Sequence, residues 1–144
     1  MKVMKILIQL LAIFFFYGCS TSDDFEKSYY LIDSSDTNIT YTEIYVLSNG
    51  DILVFFEPLG LLGIRANIQY SDGGDSAIVK NYYEDKIDTL VKIENTENYL
   101  MVSTLDTLIR MNEIISNKLS IENPRKFENQ AFERMKKNCR KCRI

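Results

Sequence analysis

The 144-residue sequence predicts a mainly β domain: an antiparallel meander of seven or eight strands, closing as a small barrel or sandwich, followed by a C-terminal amphipathic α-helix. Three observations carry that prediction. Turn residues recur about every 10 residues between Tyr29 and Met111, the spacing of an all-β sandwich or barrel. Within that stretch Ile64, Ala66, Ile68 and Tyr70 alternate with Arg65, Asn67 and Gln69, a period of two with one wet face. Beyond Asn123-Pro124 the period changes: Phe127, Ala131, Phe132, Met135, Cys139 and Cys142 fall within about 140° of arc at helical spacing.

The first element stands apart from that domain. Lys2 and Lys5 precede an apolar run from Ile6 to Tyr17, broken only by Gln9, and Cys19 then opens the polar stretch Ser20-Thr21-Ser22-Asp23-Asp24. A basic start and a short apolar run are the layout of a secretory signal. As a helix the run spans roughly 18 Å, short of the ~30 Å hydrocarbon core, so a permanent membrane span is not expected. The Gly18-Cys19 junction resembles the lipobox of bacterial lipoproteins, with Phe16 and Tyr17 standing where that pattern has an aliphatic and a small residue. The resemblance implies that residues 1–18 are a signal peptide and that Cys19 becomes the acylated N-terminus, its thiol carrying diacylglycerol and its amine a further chain. Two or more chains hold where one exchanges. The competing reading is a buried or disulfide-bonded Cys19 beside an uncleaved leader. Asp23 and Asp24 after Ser20-Thr21-Ser22 resemble the acidic export tag of bacteroidete-type surface lipoproteins. That implies an outer membrane lipoprotein, at the cell surface or on the periplasmic face, with residues 19–28 as lipidated cysteine and flexible tether.

The β domain is assigned to residues 29–111. Tyr41–Leu47 and Asp51–Glu57 are rich in β-branched and aromatic residues, and Asn49-Gly50 between them is a hairpin signal whose two central residues are expected at positive φ. Ile52–Phe56 is almost continuously apolar, as in a strand buried on both faces. After Ile64–Tyr70, Asp72-Gly73-Gly74-Asp75 turns the chain, Ser76–Tyr83 returns, and Glu84-Asp85 turns it again. Lys86–Ile93 places Ile87, Thr89, Val91 and Ile93 on one face, and Tyr99–Thr104 and Thr107–Met111 complete the meander. Closure of such a sheet removes its exposed edges. The order of leader, tether, meandering strands and helix resembles small lipocalin-like lipoprotein domains.

Residues 112–144 form the helical C-terminal segment. A short helix is expected over Asn112–Leu119, and Asn123-Pro124 starts the longer one, with Asn as cap and Pro at the first helical position. Without residues 1–18 the chain carries 15 basic and 20 acidic residues, net −5. They are unevenly placed: Ser20–Pro124 has 7 basic and 18 acidic, and the remainder 8 basic and 2 acidic. An acidic body argues against nucleic-acid binding. The absence of histidine excludes Ser-His-Asp and Cys-His nucleophilic arrangements and imidazole acid–base work. With no P-loop or dinucleotide fingerprint either, an enzyme is not expected, and no cofactor or metal is assigned.

Four features of the sequence are candidate sites. Cys139-x-x-Cys142 reads as a local disulfide, against a free or intermolecular thiol or a redox or metal pair; a lone CxxC lacks the further ligands zinc needs. Lys136, Lys137 and Arg140 on the basic helix face are solvated, or face anionic headgroups, or dock a partner protein. Phe55 and Phe56, with Leu59, Leu61 and Leu62 of the loop Pro58–Gly63, form either a plug over one barrel end or a mobile apolar lip for a ligand or partner. The acidic clusters Asp33–Asp36 and Asp72–Asp75 are explained by turn chemistry better than by calcium. The sequence thus points to a monomeric, lipid-anchored extracytoplasmic binding or interaction module. Its rivals are an inhibitor or immunity-type lipoprotein that blocks a secreted toxin or hydrolase, and a carrier of a small apolar ligand.

Overall fold

The computed structural model describes residues 23–34 and 38–142. Cys19 and residues 1–18, the expected signal peptide, lie outside the described residues. Eight strands follow in order: β1 (Lys27–Asp33), β2 (Thr40–Val46), β3 (Asp51–Phe56), β4 (Gly60–Tyr70), β5 (Ser76–Asn81), β6 (Ile87–Lys92), β7 (Tyr99–Met101) and β8 (Thr107–Arg110). Two helices close the chain, α1 (Asn117–Glu122) and α2 (Pro124–Asn138). Each strand pairs antiparallel with the next, and β8 returns to β1 through Tyr29–Arg110 and Tyr30–Ile109, so the sheet is a closed barrel. Of the two closures open to the sequence pattern, the barrel is the one formed.

Alternation along the strands builds two cores. Tyr29, Val46, Ile52, Ala66, Ile68, Ala77, Leu90, Tyr99 and Leu108, drawn from all eight strands, meet inside the barrel. An eight-stranded barrel is just wide enough for side chains to fill. Here tyrosines meet at the barrel end beside the β4–β5 turn: Tyr99 packs edge-on to Tyr29 at 6.0 Å, the Tyr29 and Tyr70 hydroxyls lie 3.3 Å apart, and the Tyr99 hydroxyl donates to the Gly74 carbonyl. The second core lies outside the barrel. The opposite faces of β1–β4 present Tyr30, Ile32, Tyr41, Tyr45, Leu53, Phe55 and Leu61, and the amphipathic α2 covers them with Phe127, Ala131, Phe132 and Met135. Burial on both faces is why Ile52–Phe56 reads as a continuous apolar run.

Asn123 serves both helices. Its N–H donates to the Leu119 carbonyl at the end of α1, and its side-chain oxygen accepts the Lys126 N–H at the start of α2. Pro124 occupies the first turn of α2, where its missing N–H breaks nothing.

Several boundaries differ from the sequence pattern. The Asn49-Gly50 turn has only Gly50 at positive φ (86°). Leu47 accepts the Gly50 N–H and donates to the Asp51 carbonyl, a three-residue loop with a glycine bulge instead of a two-residue turn. The loop assigned to Pro58–Gly63 is a tight turn, because β4 begins at Gly60 and bulges between its pairings with β3. Residues 25–28, expected as part of a flexible tether, belong to the domain: Phe25 is buried against Tyr45 and Phe127, and β1 starts at Lys27. Residues 112–116 are not helical: Ile115 accepts the Phe25 N–H, and the Ser116 hydroxyl caps α1 by accepting the Leu119 N–H. Finally, α2 stops at Asn138, and Cys142 is buried by a turn rather than by helical phase.

Candidate functional site

What covers the barrel decides which surface is left to act. On β2, Tyr41, Glu43 and Tyr45 all point outward beneath α2, and Glu43 is fully buried there. Arg134 of α2 reaches it with two prongs, Nε to Oε1 at 3.0 Å and Nη2 to Oε2 at 2.8 Å. The Tyr41 hydroxyl donates to Oε1 at 2.8 Å, the Tyr45 hydroxyl donates to Oε2, and Asn138 donates to the Tyr41 oxygen. A carboxylate removed from water needs this many donors, and a planar guanidinium supplies two in fixed geometry. Burial, then the charge of Glu43, pushes the Tyr41 and Tyr45 hydroxyls up, so both remain donors. Burial, the largest single influence, pulls the Arg134 guanidinium down, but its hydrogen bonds and charge interactions with Glu43 and Tyr45 together outweigh that and raise it. Every strong acceptor position on Glu43 is taken, so the network fastens the helix and offers nothing to a substrate.

The residues singled out from the sequence are dispersed by this cover. Phe55 is fully buried, edge-on to Phe132 at 5.1 Å, and belongs to the core under α2. Leu61 packs against the same core, its N–H held by the Glu128 carboxylate of α2 at 2.8 Å. Phe56 and Leu62 are half-buried, and Leu59 alone of the five stands in solvent. The five do not form a mobile lip, because α2 clamps the start of β4. Cys139 and Cys142 are joined by a disulfide and lie buried in the outer core. Lys136, Lys137 and Arg140 are exposed, with Lys136 paired to Glu133 at 2.7 Å.

The uncovered wall is β4–β6. Register sends Ala77 and Leu90 inward as partners, so their neighbours face out: Ile78 opposite Thr89, Lys80 opposite Ile87, Ser76 opposite Val91, with Asn67 and Gln69 of β4 beside them. Ile78 is 51% exposed and Ile87 65%, and Ile64, Val91, Tyr82 and Tyr83 are exposed as well. Asn67, Gln69, Ile78, Lys80, Tyr82 and Ile87 line a shallow depression of about 380 Å³.

The two tyrosines of the β5–β6 turn are held in place. Tyr82 donates to the Asp51 carboxylate at 2.6 Å, and Asn67 and Asn49 donate to the same group. The Tyr82 hydroxyl holds the Asp51 carboxyl below its usual range, with Asn67 and Asn49 adding to the effect, and Asp51 in turn raises Tyr82. The Tyr83 ring lies 4.7 Å from the Arg65 guanidinium, a cation–π contact. Ordering both rings in advance removes part of the entropy a partner must otherwise overcome. Acidic residues surround the wall: Asp72, Asp75, Glu84, Asp85, Asp88, Glu94 and Glu97 outnumber Arg65, Lys80, Lys86 and Lys92 across residues 64–97. Among the described residues no group of three His, Cys, Asp or Glu side chains is placed to hold a metal ion.

The sequence pattern did not single out this wall. The alternation of Ile87, Thr89 and Val91 was visible, but which face of β6 turns inward is set by its register against β5. Comparison with protein-family models, curated proteins and solved structures yields no match for this chain.

Proposed function

We propose that the protein is a lipid-anchored extracytoplasmic binding module, not an enzyme, that engages a partner protein through the outer wall of β4–β6. The observation that carries this reading is the preset aromatic and aliphatic surface there, exposed on a barrel whose interior is filled by its own side chains. Aromatic anchors surrounded by a charged rim are the usual composition of a protein-recognition surface. The anchor is Cys19, with residues 1–18 removed and the domain displayed at the outer membrane, on the cell surface or the periplasmic face. The acidic rim favours one form of this role, an inhibitor or immunity-type lipoprotein whose partner presents a basic surface, since charge complementarity speeds such encounters. A filled barrel speaks against the carrier role.

The test pairs two measurements. Mass spectrometry of the mature protein from its native host is expected to find acylated Cys19 as the first residue. The leaderless chain, residues 20–144, is expected to retain one extracytoplasmic protein. Replacing Ile78, Tyr83 and Ile87 together by Ser, Ala and Ser is expected to weaken that binding at least tenfold, whereas Ile121→Ser leaves it unchanged. Equal binding by the wall variant removes the assignment of this face.

A further inference from the structure

The point where the chain enters the domain sets which side can face a membrane. The Asp23 carbonyl accepts the Lys118 N–H at 3.1 Å and the Ser116 hydroxyl at 3.2 Å, Asp24 bridges Ser116, and Phe25 donates to Ile115 at 3.0 Å. The N-terminal strand end is therefore tied to residues 115–118, at the start of α1. Only Ser20, Thr21 and Ser22 separate Cys19 from Asp23. Four links of fully extended chain reach at most about 14 Å. The headgroup layer alone takes roughly 5–8 Å of that. The remainder, roughly 6–9 Å, is less than the ~10–12 Å diameter of one helix. A domain tethered this closely has no room to turn another side to the bilayer.

The α1 edge has the chemistry for that position. Ile114 is 83% exposed and Ile121 72%, and along the chain they flank Ser116 and Lys118, which hold Asp23. Ile114 borders a groove of about 690 Å³ that it shares with Lys126 and Lys137 of α2. The exposed face of α2 and the turn after it carries Arg125, Lys126, Lys136, Lys137, Arg140 and Lys141 against the single acid Glu133, while Glu128 turns toward β4 and Arg134 toward β2. Glu113, Glu122, Asp23 and Asp24 are the acids at this edge; Glu122 lies 3.9 Å from Lys118, and Glu113 3.5 Å from Arg134. Apolar side chains flanked by cations suit the boundary between anionic headgroups and acyl chains.

We propose that the domain seats on the bilayer by its α1 edge, with Ile114 and Ile121 in the headgroup–acyl boundary, the basic face of α2 against anionic headgroups and the acidic β4–β6 wall turned outward. This rests on acylation of Cys19, and the experiment separates the two. The chain has no tryptophan, so I114W, I121W and I87W each introduce a single reporter. Each is expressed with its leader, purified acylated, and reconstituted into phosphatidylcholine–phosphatidylglycerol vesicles containing lipid brominated on its acyl chains. Fluorescence of I114W and I121W is expected to be quenched by at least a third, with I87W unchanged. Adding K126E and K137E to I121W is expected to reduce the quenching. Acylated protein that floats with the vesicles but shows no more quenching for I114W and I121W than for I87W overturns the seat and leaves the anchor standing. Absence of acyl mass on Cys19 overturns both.

Discussion

Replacing Arg134 by methionine leaves the Glu43 carboxylate buried with its charge uncompensated. The wild-type side chain supplies three contacts within 3.1 Å of the two carboxylate oxygens. Methionine keeps much of the volume and none of the donors, so Tyr41 and Tyr45 alone remain to solvate the charge. Breaking a buried pair from one side costs about 3–5 kcal/mol, and with Glu43 fully buried and Arg134 11% exposed that is a large part of the 5–15 kcal/mol that holds a domain of this size. Urea unfolding of residues 20–144, followed by far-ultraviolet circular dichroism, is expected to show a midpoint lowered by about 2 M. The sharper readout is the sign of a second change. Glu43→Gln in the wild type leaves Arg134 with the exposed Glu113 at 3.5 Å as its acidic partner in place of a buried one, and is destabilising. In the R134M background the same change removes the stranded charge while keeping an acceptor for the tyrosine hydroxyls, and is expected to restore about 1–2 kcal/mol. If Glu43→Gln destabilises equally in both backgrounds, the two side chains are not coupled and the account of how α2 is fastened is wrong.

Alkaline pH tests the same site differently. Tyr41 and Tyr45 are raised by burial and by Glu43, so below about pH 10 both folded and unfolded chains keep these protons and stability is intact. Above it only the unfolded chain ionises, and stability falls by roughly 3 kcal/mol per pH unit for the two together; urea midpoints that stay flat from pH 9 to 11 contradict this. Reducing the Cys139–Cys142 disulfide, or replacing both cysteines by serine, is expected to cost about 2 kcal/mol for so short a loop; matched melts with and without reductant check it. Gly50→Ala is expected to cost at least 1–2 kcal/mol, because φ is 86° and a Cβ would sit 2.6 Å from the Ile68 carbonyl. A thermal melt within 2 °C of the wild type refutes that reading.

Much of the architecture was legible because local pattern and tertiary environment agree. The strand spacing, the alternation of buried Ala66 and Ile68 with Asn67 and Gln69, and the Asn123-Pro124 helix start each report a local constraint that the fold obeys, whereas Ile64, on the dry face of the pattern, is exposed where β4 bulges. The candidate site was less legible, for two physical reasons. Phe55 and Leu61 look like a lip because the sequence does not show that α2 lies across them. Ile87 and Val91 share one face in the pattern, but period-two alternation reports that two faces differ, not which one is inside. A one-residue change of register would exchange them. Glu43 offered no local signal at all, since its partner Arg134 is 91 positions away.

By itself, then, the order of residues determined a leader-like start, a meander with turns at regular intervals and a helix with one apolar stripe, all of which depend on interactions within a few residues. Tertiary structure alone decided that the barrel closes, that α2 packs outside it over β1–β4, and that β4–β6 stays bare. Those outcomes depend on contacts between residues far apart in the chain, where strand register, side-chain volume inside a narrow barrel and one buried ion pair choose among arrangements that the local pattern leaves equal.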